Sequence, residues 1–232
     1  GVQAEPGDVV VSLGTRGTAF AVSHTSTHDA TGAVAGFADA TGKFLPLVCT
    51  LNAARILDAA TQILGKSHDE IGALALSAQP GAHGLTLLPY FEGERTPNRP
   101  AATGVFAGMN LKNSNPADIA RAMIEGMLCG LVDAVEALVA LGVNVQRVLL
   151  IGGAAKNPAI ASIASSLFGR EVLVPQPGEY VADGAARQAA WALLQSAEPP
   201  QWDLGKVSSA RASATPEVVA QYRMLRDRTQ TW

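Results

Sequence analysis

The stretch that decides the fold is GDVVVSLGTRGTAFAV, running from Gly7 to Val22. Val9–Leu13 and Thr18–Val22 are rich in β-branched residues, and Gly14-Thr15-Arg16-Gly17 separates them. The pattern reads as two antiparallel strands joined by a Gly-containing turn. The turn has two readings. Either it is a tight hairpin and nothing more, or its backbone holds an anion. Glycine permits φ > 0 and the close approach of a ligand, and successive N–H groups in such a turn form a nest for negative charge. Thr15 would add a hydroxyl donor, and Arg16 a charge-assisted bond to a phosphate. Taken alone, the tetrapeptide is explained by the hairpin.

Outward from this hairpin, Ala33–Ala38 reads as a third strand, paired with Lys43–Cys49 across Thr41-Gly42. The period then changes: Asn52–Leu64 sets Ile56, Leu57, Ala60, Ile63 and Leu64 on one helical stripe. Asp69–Ser77 is a shorter helix. Gly81–Arg99 is a loop around the apolar run Leu85–Phe91, and Glu92–Pro100 (EGERTPNRP) is too Pro-rich for a helix. Asn115-Pro116 pairs an N-cap with Pro at the first helical position, opening a helix that stops at Gly142. Gln146–Gly153 is a buried strand, Pro158–Phe168 a helix, Glu171–Pro175 a strand and Ala182–Gln195 a helix. A polar tail begins at Glu198, with an amphipathic edge helix at Pro216–Arg228. Early hairpins and late strand–helix alternation imply a mixed sheet with helices on its faces. The expected lobe spans residues 1–198, and residues 199–232 form the tail.

The bulk numbers narrow the function. With 48% hydrophobic and 16% charged residues, the 232-residue chain has ample material for a core. A net charge of −3 without a basic run argues against nucleic acid as a partner. No apolar segment reaches the roughly 20 residues of a membrane-spanning helix, and no secretory signal opens the chain. Cys49 and Cys129 read as reduced thiols of a cytoplasmic protein. The start at Gly1-Val2, without Met, reads as a fragment or excised domain whose neighbour lies upstream. GFADATGKF (Gly36–Phe44) has the wrong spacing for a phosphate-binding P-loop. His24 and His28 sit in a β-branched loop rather than on a helix that could present both to a metal.

Two further Gly-bearing turns stand out. Gly152-Gly153-Ala154-Ala155-Lys156-Asn157-Pro158 links a strand to a helix, where ligands gather in open α/β sheets. Asn157-Pro158 is equally well explained as an N-cap and first helical residue. Tyr180–Arg187 (YVADGAAR) opens the last long helix with small residues that allow tight packing or close passage of a ligand.

Taken in order, GDVVVSLGTRGTAFAV, LLPYFEGERTPNRP, GVFAGM, RVLLIGGAAKNPAI and YVADGAARQAAW resemble the carboxyl-terminal half of the FGGY carbohydrate kinases. LPYFEGERTP followed by GVFAGM looks most like the xylulose kinases within that family. The resemblance implies one lobe of a two-lobed kinase of the actin-like, ribonuclease-H-like fold, with ATP between the lobes and Mg²⁺ held mainly through the nucleotide phosphates. It implies that Gly14, Thr15 and Gly17 face the phosphates, that Gly104 approaches them, and that Gly152, Gly153, Ala154 and Asn157 line the adenosine site. The catalytic Asp and most sugar contacts would belong to an amino-terminal lobe that this chain lacks, so the chain alone is expected to be inactive. The partners implied are ATP or ADP and a sugar, and a homodimer stays open. Two departures follow: Arg16 replaces a small hydroxyl residue of the family's Gly-Thr-Ser-Gly, and Ala154 replaces a third glycine. A kinase for glycerol, gluconate or ribulose, or a non-catalytic actin-fold nucleotide-binding module, are the alternatives.

Overall fold

The computed structural model describes every residue except Leu204 and Trp232. The opening hairpin forms as read: β1 (Gly7–Leu13) pairs antiparallel with β2 (Gly17–Ala21), setting Leu13 opposite Gly17. β2 pairs antiparallel with β3 (Leu47–Thr50). The strand expected over Ala33–Ala38 does not form. Single antiparallel bridges, Ala35 to Leu47 and Ala38 to Phe44, and the backbone hydrogen bonds that Phe37 and Leu45 exchange connect the two segments without a continuous strand. The cause is local. Asp29 accepts the N–H groups of Thr31 and Val34, and Asp39 those of Thr41 and Lys43. These Asx turns draw the backbone away from a ladder.

Next come α1 (Ala54–Leu64), α2 (His68–Ser77) and a small hairpin of β4 (Thr86–Leu88) with β5 (Val105–Ala107). This hairpin corrects the reading of Gly81–Arg99 as loop, because part of the apolar run Leu85–Phe91 is a strand. α3 (Pro116–Ala140) is capped by the Asn115 side chain, which accepts the Asp118 N–H at 3.0 Å, and ends before Gly142 at φ +85. The remainder runs β6 (Val145–Ile151), a 3-10 turn at Gly153–Lys156, α4 (Pro158–Phe168), β7 (Val172–Pro175), α5 (Tyr180–Leu194), β8 (Val207–Ala210) and α6 (Pro216–Arg228).

The six-stranded sheet has the order β3-β2-β1-β6-β7-β8. β1, β6 and β7 are mutually parallel, and the flanking pairings are antiparallel. Its two faces follow the period of two along β1. Val9, Val11 and Leu13 enter the main core with α1, α3 and α4, whereas Val10 joins Leu149 and Val2 on the opposite face. α5 lies on that second side, and none of its residues is buried. The segment beyond residue 198 supplies β8 to the sheet edge. It also supplies α6, whose Val218, Val219, Tyr222 and Leu225 are buried in the main core.

Candidate functional site

Because β1 and β6 are parallel neighbours with Ser12 opposite Ile151, the loops that leave them emerge side by side. This is where open α/β sheets place ligands. Gly152 takes φ +100 and ψ 173, a region essentially closed to other residues, and a Cβ there would overlap the Leu13 backbone. The turn after β6 is thereby pressed against the turn after β1.

The β1 turn uses its glycines differently from the sequence reading. Neither Gly14 nor Gly17 is among the glycines with positive φ. Gly17 is glycine because of space: a Cβ would stand 2.5 Å from the Thr50 hydroxyl and 2.9 Å from a Leu131 methyl. Gly14 contributes its carbonyl, which accepts the Ala54 N–H at 3.0 Å and so ties the turn to the head of α1. Thr15 and Arg16 are exposed at the tip.

The 3-10 turn has a cleft on each side. One, of about 410 Å³, lies between α1, α2, α3 and α4, and its walls include Leu57, Ile71, Ile124 and Ile160. Ala54, Gly153, Ala154 and Asn157 line it too, with Asp58, His68, Asp69 and Lys156. The other, of about 320 Å³, opens toward α5 and is lined by Gly152, Gly153, Lys156, Glu179 and Tyr180 among others. Both volumes fall in the roughly 300–1,000 Å³ typical of small-molecule sites. Ala54, at the edge of the first, donates its N–H to the Gly14 carbonyl of the β1 turn, and the apolar walls of this cleft suit a flat ring.

Asn157 is half committed. Its Oδ1 caps α4 by accepting the Ala159 N–H at 3.0 Å, and its Nδ2 donates to the His68 carbonyl at 3.0 Å. One N–H and one lone pair of the amide remain. The small residue Gly72 makes room for this side chain, since a Cβ there would come within 2.5 Å of Nδ2. His68 in turn bonds Asp58 across the mouth of the cleft, Nε2 to Oδ1 at 3.0 Å.

Gly14, Thr15, Arg16, Gly17, Gly152, Gly153, Ala154 and Asn157 therefore gather at one end of the sheet. Gly104 lines neither cleft: its missing side chain makes room for the Phe91 ring. Among the described residues no three His, Cys, Asp or Glu side chains cluster as a metal site. The sequence reading missed the walls. Leu57 lies on the apolar stripe of α1, where spacing cannot tell a cleft wall from a core residue, and Ile71 and Ile124 come from distant segments.

Residues 9–193 match the model of the FGGY family of carbohydrate kinases, C-terminal domain. The chain belongs to that family. FGGY relatives agree: the xylulose kinase of Streptomyces rubiginosus is 40% identical over 200 residues, which is 86% of this chain and 40% of that protein. A crystal structure of xylulose kinase from Bifidobacterium adolescentis is 50% identical and superposes with a TM-score of 0.88, covering 97% of this chain and 44% of that one. Plasmodium falciparum glycerol kinase with ADP, 16% identical at a TM-score of 0.79, shares the fold alone. The actin-like fold expected from the sequence is therefore the one observed. The FGGY chain described here spans about two fifths of the length of the curated relatives that it matches.

Proposed function

We propose that this chain is the nucleotide-binding lobe of a kinase that transfers the γ-phosphoryl group of ATP to a hydroxyl of a pentulose, D-xylulose by preference. The observation that carries the reading is that Ala54, which lines the apolar cleft at Gly153–Asn157, is hydrogen-bonded to the Gly14 carbonyl of the β1 turn. Adenine would lie in the open part of the cleft, against Ala54, Gly153 and Asn157, with the buried Leu57, Ile71 and Ile124 as its apolar floor. The donor and acceptor left on Asn157 match the N–H and lone pair that adenine presents together on one edge. The phosphates then extend past Ala54 to the β1 turn, where Thr15 and Arg16 are free to donate.

A Mg²⁺ ion held through the nucleotide phosphates would supply charge neutralisation at their oxygens, since among the described residues no side-chain cluster would hold it. What this chain supplies is positioning and donors, the main currency of phosphoryl transfer. The base and the sugar contacts belong to the rest of the protein, which would close over the cleft and exclude water. The xylulose kinases among the relatives favour a pentulose over glycerol or gluconate.

The test is an ADP-release assay on the full-length protein with D-xylulose, ribulose, glycerol and gluconate in parallel. D-xylulose should give the highest kcat/KM, and this chain alone should give no turnover. Preference for a polyol would change the substrate, and ADP release by the lobe alone would sink the division of labour.

A further inference from the structure

Between β4 and β5, residues 89–104 carry a carboxylate that is almost fully buried. Glu94 is 3% exposed. Its Oε1 accepts the backbone N–H groups of Leu51 and Arg95, each at 2.7 Å, and its Oε2 accepts the Asn52 side-chain amide at 3.0 Å. All three donors are neutral amides. Burying a carboxylate is expensive, and hydrogen bonds to the charged form are what offset that cost. Glu92, two residues earlier, is the contrast: it pairs with Arg55 at the exposed surface.

What Glu94 holds is the head of α1. Leu51 and Asn52 lead into that helix, and Asn52 is pinned further by donating to the Gly93 carbonyl at 2.7 Å and accepting the Phe91 N–H at 3.1 Å. The helix has no capping side chain of its own, since Ala53 occupies the cap position at φ −127, ψ −116. One residue later the Ala54 N–H meets the Gly14 carbonyl, and Ala54 and Leu57 line the 410 Å³ cleft. Two anchors thus set the angle between α1 and the β1 turn: the Gly14 carbonyl on one side and the Glu94 carboxylate on the other. A negative charge just ahead of the helix also suits the positive end of its dipole.

We infer that Glu94 is a positioning residue for the nucleotide, holding the cleft wall Ala54–Leu57 in register with the Gly14–Gly17 turn without touching the ligand. The inference rests on the nucleotide reading above. Its test is steady-state kinetics of the full-length protein for Glu94→Ala, Glu94→Gln and, as the loop control, Glu92→Ala. Glu94→Ala should raise the KM for ATP by about tenfold, the scale of one lost hydrogen bond to a charged group. The sugar KM should stay within about twofold, a change too small to reflect a lost bond. Glu94→Gln keeps one acceptor for Leu51 but turns an N–H toward Asn52, so it should fall between wild type and Ala. Glu92→Ala should match wild type. Where Glu94→Ala does not fold, Glu94→Gln decides. An unchanged ATP KM in folded Glu94→Gln, or ATP and sugar KM rising together, overturns the inference. Absence of saturable ATP dependence in the wild type would instead remove the nucleotide reading itself.

Discussion

At the scale of single residues, the two turns at the end of the sheet are built by opposite uses of glycine. Gly152 is glycine for its backbone, at φ +100, while Gly17 is glycine for the space taken by Thr50 and Leu131. Gly152→Ala therefore meets both a forbidden conformation and the Leu13 backbone. It should cost about 3 kcal/mol or more in urea unfolding, the sum of backbone strain and overpacking. Arg16 is a different case, because nothing in the fold depends on it. It is exposed at the tip. Arg16→Ser should leave the unfolding midpoint unchanged and weaken ADP binding by about three- to tenfold, with the loss shrinking at high salt. An Arg16→Ser protein that binds ADP more tightly would show that the guanidinium crowds the phosphates instead.

At the scale of elements, legibility followed local chemistry. The starts of α3 and α4 were readable because Asn115-Pro116 and Asn157-Pro158 carry their own caps, and both caps form. The third strand was misread because its fate is decided by Asp29 and Asp39, whose Asx turns compete with a ladder. β8 left no apolar alternation to read, since Val207–Ala210 is largely exposed at the sheet edge. The conformations of Ala82 and His83, at φ +46 and +50, carry no sequence signal at all. They are held by neighbours: His83 Nδ1 bonds the buried Asp118 carboxylate at 2.9 Å, and its carbonyl accepts the Asn113 amide. Of the site, the two Gly turns were legible and the cleft walls were not, because those walls exist only once four helices pack.

The capping box of α2 gives this scale its prediction. Ser67 accepts the Glu70 N–H, and Glu70 accepts the Ser67 N–H at 2.9 Å. That backbone bond, with help from Lys66 and the Ser67 hydroxyl, brings the Glu70 carboxyl from 4.5 down to about 2. The folded value is the depressed one, so the stabilisation is complete above pH 4.5 and is lost as the pH falls toward 2. An NMR titration should find the Glu70 midpoint low in the wild type and displaced upward in Ser67→Ala, with α2 amides fraying over the same window. Because this end of α2 carries His68, whose carbonyl holds Asn157, the cleft mouth should loosen with it.

For the whole molecule, the parallel pairing of β1 with β6 is what turns separate turns into one site, and α6 locks the other side. Asp133 on α3 accepts Arg223 at 2.7 Å and also pairs with Arg226, while Arg99 of the 89–104 loop donates to Thr229 at the end of α6. The Tyr90 and Tyr222 rings are buried between these links, and burial pushes the Tyr90 hydroxyl up to about 12. Opposite this well-packed side, α5 buries none of its residues, and Val181 and Leu193 are 90% and 85% exposed. The two sides of the sheet thus differ sharply, and the cleft proposed for the nucleotide lies on the packed one. Hydrogen exchange of the full-length protein with and without ADP tests that assignment most directly. The account predicts slowed exchange at residues 14–17, 53–58 and 153–157. Protection confined to the Gly152–Tyr180 side of the 3-10 turn, or none at any of these segments, would contradict it.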